Sequence, residues 1–182
     1  MLRALFTLLL LLVTTCAIAQ DDVPTLDGER FVKRFVSDER SIDKFVEFVR
    51  EEESFQIWTK LIGFRLQRLP GLGNDPKRAA GAMAQVLRGS NPNVPLRVIA
   101  NDQLGEALID FVMRTPDGKF MEFNVWRYIK STDGNGVISL QLAYRFADVT
   151  PEGIERFKGV RASWIKQALA FDMGRVRAEF GQ

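Results

Sequence analysis

The sequence EALIDFVMRT at residues 106–115 places apolar side chains at alternate positions, and two further segments with the same alternation follow it. These are KFMEFNVWRYIK at residues 119–130 and VISLQLAYRF at residues 137–146. A period of two is typical of strands that bury one face. Residues 106–146 therefore predict three consecutive antiparallel strands, and the rest of the chain is expected to cover the sheet that they form.

The turn Thr115-Pro116-Asp117-Gly118 predicts the register of the first hairpin. Proline sets the backbone angle at the second position, and glycine accepts the left-handed conformation at the fourth. A three-residue loop that ends at Gly118 sets Thr115 opposite Lys119 and Phe111 opposite Phe123. Apolar side chains then face one another across this hairpin.

The loop STDGNG at residues 131–136 predicts the register of the second hairpin. It leaves Lys130 opposite Val137, and it sets Glu122 directly across from Arg145. A cross-strand pair of opposite charges is favourable. The same register puts apolar side chains of both strands on one face of the sheet.

The second face mixes aromatic, amide and charged side chains. It is predicted to carry six partner-binding residues, namely Trp126, Tyr128, Arg145, Glu122, Asn124 and Gln141. Tryptophan, tyrosine and arginine among polar groups are typical of the hot spots of protein interfaces. The alternative is that an N-terminal helix covers this face, in which case Trp126 belongs to the core.

Arg127 is a charge on the predicted apolar face. In one interpretation its long side chain reaches water at the end of the sheet. In the other it pairs with an acid such as Asp172 or Glu152 at the mouth of a cleft between helix and sheet. Such a ligand cleft, with Arg127 at its entrance, suits an anionic or amphipathic molecule.

The remaining segments predict helices. Apolar residues at helical spacing in residues 27–89 predict a helical N-terminal half, in which Asp75-Pro76 has the cap and first-turn proline of a helix start. Thr150-Pro151-Glu152 begins a long C-terminal helix over residues 150–180 that is expected to lie across the apolar face. The predicted fold is α+β: an antiparallel meander of three to four strands at residues 96–146, packed by the long C-terminal helix and preceded by a helical half.

Residues 1–19 are predicted to be a cleaved signal peptide. Arg3 supplies its positive charge, an apolar segment follows, and Ala-Ile-Ala precedes the cleavage site. Residues 20–182 then form a single exported domain, periplasmic or alternatively secreted, and the apolar run is too short for a transmembrane span. A lipoprotein anchored at Cys16 is disfavoured, because Thr15 stands where such motifs prefer glycine, alanine or serine.

The chain contains no histidine, and its single cysteine lies within the predicted signal peptide. This excludes nucleophilic sites built on histidine or cysteine and the usual zinc ligand sets in the mature chain. The sequence therefore predicts no catalytic residue, no metal and no cofactor. Lysine and arginine (25) nearly balance aspartate and glutamate (23), which speaks against nucleic acid as a partner.

The function predicted from these features is that of an exported, non-enzymatic protein that binds another envelope or secreted protein. An inhibitor, an immunity protein and an accessory factor are the subtypes considered first. One alternative is a periplasmic carrier of a small ligand or lipid in the helix–sheet cleft. Another is a carboxylate-dependent hydrolase, because the distances between acidic side chains cannot be read from a sequence. The sequence leaves the partner's identity and the oligomeric state open.

Overall fold

The computed structural model describes residues 23–37, 43–147 and 150–182. Within these residues the chain forms nine strands, three α-helices and one short 3-10 helix, Pro70–Leu72. The strands are β1 (Thr25–Leu26), β2 (Glu29–Arg30), β3 (Lys33–Val36), β4 (Lys44–Val49), β5 (Lys60–Gln67), β6 (Leu96–Asn101), β7 (Glu106–Arg114), β8 (Met121–Lys130) and β9 (Val137–Phe146). The helices are α1 (Pro76–Ser90), α2 (Pro151–Ala170) and α3 (Met173–Ala178). The predicted signal peptide lies outside the described residues, and no helix within them is long and apolar enough to cross a membrane.

The prediction of a helical N-terminal half is wrong, and with it the α+β class. Five strands precede α1 in the described residues, and β3, β4 and β5 extend the sheet that the later strands begin. Both faces of β5 are largely buried, so its apolar side chains do not alternate, and a continuous apolar run imitates helical spacing. The fold is mostly β: a seven-stranded antiparallel sheet and a separate two-stranded one, with helices on the faces of the larger sheet.

The large sheet has the strand order β3-β4-β5-β9-β8-β7-β6. After β5 the chain crosses one face of the sheet as α1 and enters the far edge as β6. It then returns strand by strand until β9 pairs with β5, from Lys60 opposite Tyr144 to Gln67 opposite Val137. The three strands predicted within residues 106–146 are confirmed as antiparallel neighbours, and the predicted short strand before them is β6.

The predicted register of the first hairpin is wrong by one residue. The Thr115 backbone N–H donates to the carbonyl of Phe120 at 2.9 Å, so the loop has four residues rather than three. The Asp117 carboxylate accounts for the extra residue, because it accepts from the Thr115 hydroxyl at 2.6 Å and from the backbone N–H of Lys119 at 3.1 Å. Phe111 consequently lies opposite Asn124.

The predicted register of the second hairpin is confirmed. Lys130 lies opposite Val137, and Glu122 lies opposite Arg145. With the corrected first hairpin, the odd positions of β7 lie on the same face as the even positions of β8. Most side chains of β7 are buried, and β7 contributes apolar side chains to the cores on both faces of the sheet.

The face covered by α2 and α3 holds the larger core. Trp164 of α2 is fully buried and packs on Phe123 of β8, with 6.3 Å between ring centroids. Thr150 caps α2 as predicted, its hydroxyl accepting from Gly153 N–H at 3.2 Å. The predicted single helix is nevertheless interrupted, because Asp172 caps a separate α3 by accepting from Gly174 N–H at 2.8 Å.

The other face is covered by α1 mainly over β6, β7 and β8. Asp75 caps α1 as predicted, accepting from Arg78 N–H at 2.8 Å. Small side chains of α1, Ala80 and Ala84 among them, let the helix approach Trp126 and Tyr128 of β8. Over β5 and β9 this face is instead bordered by residues 50–59, which connect β4 to β5 and pack Trp58 against the sheet.

Candidate functional site

Four of the predicted partner-binding residues form one hydrogen-bonded row on the α1 side of the sheet. Gln141 Nε2 donates to Asn124 Oδ1 at 2.8 Å, and Asn124 Nδ2 donates to Glu122 Oε1 at 3.0 Å. Arg145 Nε completes the row by donating to Glu122 Oε2 at 3.0 Å. They meet because β8 and β9 are neighbours in the predicted register, so side chains at alternate positions adjoin.

Trp126 and Tyr128 do not lie on an exposed surface. Their side chains are 8% and 2% exposed, their rings stack with 6.0 Å between centroids, and both pack in the cluster that α1 covers. Burial raises the pKa of the Tyr128 hydroxyl. The structure therefore places these two aromatic residues in the core, beneath a helix, which is the alternative that the sequence left open. They are not accessible as part of a docking face.

The row ends at a cleft that sequence reasoning missed. The guanidinium carbon of Arg145 lies 3.6 Å from the ring centroid of Trp58. The cavity beside this pair has a volume of about 490 Å³ and is lined by residues 56–59, by the β7–β8 loop and by Arg145. Ile57 and Phe120 line this cavity, and 79% and 41% of their surfaces are exposed. We call this the Trp58 cleft.

A buried carboxylate holds the connection that forms one wall of the Trp58 cleft. Glu53 accepts from the Thr59 backbone N–H at 2.7 Å, from the Thr59 hydroxyl at 2.6 Å and from Arg50 Nη2 at 2.7 Å. Burial alone would raise the pKa of Glu53, but these hydrogen bonds outweigh it and lower the pKa to about 2. The charged carboxylate thus ties Arg50 to Thr59 across the loop that carries Trp58.

Arg65 occupies the middle of the same face. Its guanidinium carbon lies 4.8 Å from the Phe45 ring centroid and 5.2 Å from that of Trp126, and its Nη2 reaches Glu47 at 3.3 Å. Burial lowers the pKa of Arg65, and burial raises the pKa of Glu47 more than the neighbouring arginines lower it. This ion pair is thus partly desolvated, unlike an exposed surface pair.

Several buried polar atoms around Arg65 have no protein partner among the described residues. They are Arg65 Nε, Trp126 Nε1, Ser139 Oγ and Gln141 Oε1. Buried polar atoms of this kind commonly bind ordered water. Together with the row from Gln141 to Arg145, they make a polar strip that runs from the edge of α1 toward the Trp58 cleft.

Arg127, the predicted ligand-cleft residue, has a structural role. Its Nη2 donates to Glu106 Oε2 at 2.9 Å, and its Nη1 donates to the carbonyls of Leu169 at 2.8 Å and Phe171 at 3.2 Å. Its acidic partner is therefore Glu106, and neither Asp172 nor Glu152, the acids named in one of the two interpretations of the sequence. The side chain caps the C-terminus of α2, where a cation is favourable, and the adjoining cavity measures about 140 Å³.

Among the described residues the most deeply buried carboxylate is Asp110, which joins α2 to the sheet. It accepts from Arg161 Nε at 2.7 Å and from Arg97 Nε at 3.2 Å, and only 2% of its side chain is exposed. Within the part of the chain that the structure describes, no group of acidic residues or cysteine is arranged to hold a metal ion. The geometry is that of a structural anchor.

The residues that line the Trp58 cleft have sequence patterns that predict other elements. Trp58 and Phe55 lie within residues 27–89, whose apolar spacing predicts helices, but in the structure they precede the apolar run of β5. Phe120 lies in the predicted strand at residues 119–130, but in the structure it belongs to the β7–β8 loop. Nothing in the local sequence shows that this loop and residues 56–59 adjoin, since the contact arises from the pairing of β9 with both β5 and β8.

No curated protein and no solved structure matches the chain. A protein-family model does match it, over residues 22–173, and this match covers β1 to β9 and all of α2. The matched range thus includes both walls of the Trp58 cleft and the whole hydrogen-bonded row. The chain therefore belongs to the protein family whose model matches residues 22–173.

Proposed function

We propose that the protein is an exported, non-enzymatic binding protein whose Trp58 cleft receives an apolar side chain of another envelope or secreted protein. An inhibitor, immunity or accessory role fits this activity. The observation that carries the proposal is that Ile57 and Phe120 are exposed at a cavity that is also lined by Trp58, which is itself only 8% exposed and is stacked on Arg145. Tryptophan and arginine dominate the energetics of protein interfaces when they line a pocket that a partner fills.

The shape of the Trp58 cleft supports a bound group of moderate size. At about 490 Å³ it falls within the range of roughly 300–1,000 Å³ that is usual for binding pockets. Its walls are mostly apolar, whereas Asp117 and Lys119 at the rim are well exposed charges. An apolar centre with a charged rim is the usual anatomy of a protein interface, in which the rim contributes specificity and association rate.

The two alternatives have less support. A carrier that uses the cavity beside Arg127 would have only about 140 Å³, below the usual range of roughly 300 Å³ and more, and Arg127 already donates to Glu106 and to α2 carbonyls. A carboxylate hydrolase needs acids that face a substrate. Asp110 and Glu53 are instead each held by arginine.

Export is part of the proposal and rests on the signal-like residues 1–19. A periplasmic location places the partner in the cell envelope. Fractionation of cells that produce the full-length chain, with immunodetection of the mature form, tests this part separately from the binding site.

The test of the cleft compares partner recovery by three tagged proteins produced in the native host: the wild type, an Ile57→Asp, Phe120→Asp double variant and a Val86→Asp control. Val86 is an exposed apolar residue of α1 and does not line the cleft. We expect recovery of the specific partner to fall at least tenfold for the double variant and to be unchanged for the control. Equal recovery by all three proteins would exclude the Trp58 cleft as the binding site.

Native mass spectrometry of the same proteins distinguishes a protein partner from a small ligand. A small molecule that is retained by the wild type and lost from the double variant would support the carrier alternative instead.

A further inference from the structure

We propose that two copies of this chain pair through their β6 edges, antiparallel, with Val98 on the two-fold axis. The two seven-stranded sheets then form one continuous sheet. This surface is separate from the Trp58 cleft, and the inference does not depend on the proposed function.

The two edges of the large sheet are built differently. The β3 edge has four residues and begins with Lys33 and Arg34, which contact the Glu53 carbonyl and the Glu179 carboxylate. Short, cationic edge strands are a common protection against strand addition. The β6 edge has six residues, and no described strand lies beyond it. Its one charged residue, Arg97, is already paired with Asp110 of its own chain.

The hydrogen-bond pattern shows which backbone groups of β6 point outward. Val112 N–H donates to the carbonyl of Pro95 at 3.0 Å, so Pro95 and Val112 form a bonded pair. Bonded and non-bonded pairs alternate along an antiparallel ladder. The backbone groups of Arg97 and Ile99 therefore point toward β7, and those at positions 96, 98 and 100 point away from the sheet.

A second copy of β6 satisfies these outward groups with a self-complementary register. With Val98 opposite Val98 of the partner subunit, Leu96 lies opposite Ala100 of the partner subunit and the reverse pair follows by symmetry. Three bonded pairs give about six hydrogen bonds. Arg97 then lies opposite Ile99 of the partner subunit, so like charges do not face each other directly.

Apolar side chains beside the edge favour the same occupant. Ile99, Leu104 and Leu169 are 44%, 67% and 54% exposed and line the cavity where α2 ends above β6 and β7. A two-fold axis through Val98 brings this patch on each copy next to the other copy. In this register Ile99 lies opposite Arg97 of the partner subunit, so the isologous interface covers the Ile99 part of the patch on both copies at once.

The first test is the oligomeric state of the exported protein, by sedimentation equilibrium over a concentration series. We expect a dimer, and at least tenfold weaker association for Val98→Pro, since proline removes an outward N–H and is tolerated at such edge positions. The control is Val36→Pro. Val36 and Val98 are both 37% exposed, and the backbone groups of Val36 also point away from the sheet, at the β3 edge. This control should remain a dimer. A monomeric wild type overturns the proposal, as does a dimer that Val98→Pro leaves intact.

Cysteine crosslinking tests the register itself in a Cys16→Ser background. Residues directly opposite each other in a bonded pair have Cα atoms about 5.5 Å apart, within disulfide range. Val98→Cys should therefore form a covalent dimer under mild oxidation. Ala100→Cys should not, because two residues offset by four positions lie roughly 14 Å apart along the strand. Equal crosslinking of both variants would overturn the register, and this test stands even if Val98→Pro fails to fold.

Discussion

Arg145 and Trp58 form a stacked cation–π pair, with the guanidinium carbon 3.6 Å from the ring centroid. Nε of the same arginine donates to Glu122 at 3.0 Å, so the charge is held from two directions. A planar guanidinium can stack on a ring and donate a hydrogen bond in its own plane, whereas an ammonium group has no plane with which to stack. The pair joins the wall of the Trp58 cleft at residues 56–59 to the end of β9, the central strand of the sheet. It therefore contributes both to the stability of the fold and to the proposed binding site.

Replacing Arg145 by lysine is expected to destabilise the protein by about 1–2 kcal/mol, because the variant keeps the charge but loses the stack and the Nε–H donor. Urea denaturation measures the change, and a red shift of tryptophan emission would accompany the release of Trp58. Arg114→Lys is the control, since the Arg114 side chain makes a single exposed contact with the Gly118 carbonyl. Unchanged stability of Arg145→Lys would contradict a structural role for the stack.

The stability of the protein is expected to fall in acid because of Glu53. Its pKa is about 2 in the folded chain, against an ordinary value of 4.5. A lowered pKa stabilises the fold above the unfolded value, and this contribution is lost as the pH falls from about 4.5 toward 2. At about 1.4 kcal/mol per pKa unit, the contribution is on the order of 3 kcal/mol.

The measurement is the free energy of unfolding of the wild type and of Glu53→Gln between pH 7 and pH 2. The difference between the two proteins should shrink as the pH falls, because glutamine carries no charge to lose. Glu52→Gln serves as the control, since Glu52 is mostly exposed beside the same arginine. Parallel pH profiles for the wild type and Glu53→Gln would show that Glu53 does not carry this dependence.

A methyl group added at Gly63 should destabilise the fold by roughly 1–3 kcal/mol, because a Cβ there would lie 3.1 Å from Gln141 Oε1 and 3.3 Å from Gln141 Cβ. The same change at Gly81 of α1 meets no atom within 4 Å and should stabilise the helix by up to about 1 kcal/mol. Thermal and urea unfolding of Gly63→Ala and Gly81→Ala measure both effects. Equal effects at the two sites would contradict the close contact between Gly63 and Gln141.

Local signals predicted several elements correctly. Asp75-Pro76 and Thr150-Pro151 begin helices, as their capping residues and first-turn prolines predict. The second hairpin follows from the length of its loop. The first hairpin does not, because the Asp117 carboxylate bonds within the turn and adds a residue to the loop. This four-residue loop places β7 one position away from the predicted register, so the side chains of β7 lie on the opposite faces from those predicted.

The candidate site was only partly readable from the sequence. The row from Gln141 through Asn124 and Glu122 to Arg145 could be predicted because alternation and one loop length place these side chains on neighbouring strands. The burial of Trp126 could not, since it depends on the path that α1 takes to reach the far edge of the sheet.

Sequence alone determined the three later strands, the helix starts and the side chains that share a face of β8 and β9, because these follow from backbone period and turn chemistry within a few residues. Only the tertiary structure decided that β3 to β5 are strands, which face α1 covers, and that Trp58 meets Arg145. The physical reason is that an apolar segment buried on both sides carries no period of its own. Whether such a segment becomes a helix or a strand depends on which segment pairs with its backbone. One of the two strands that pair with β5 is β9, which is distant from it in the sequence.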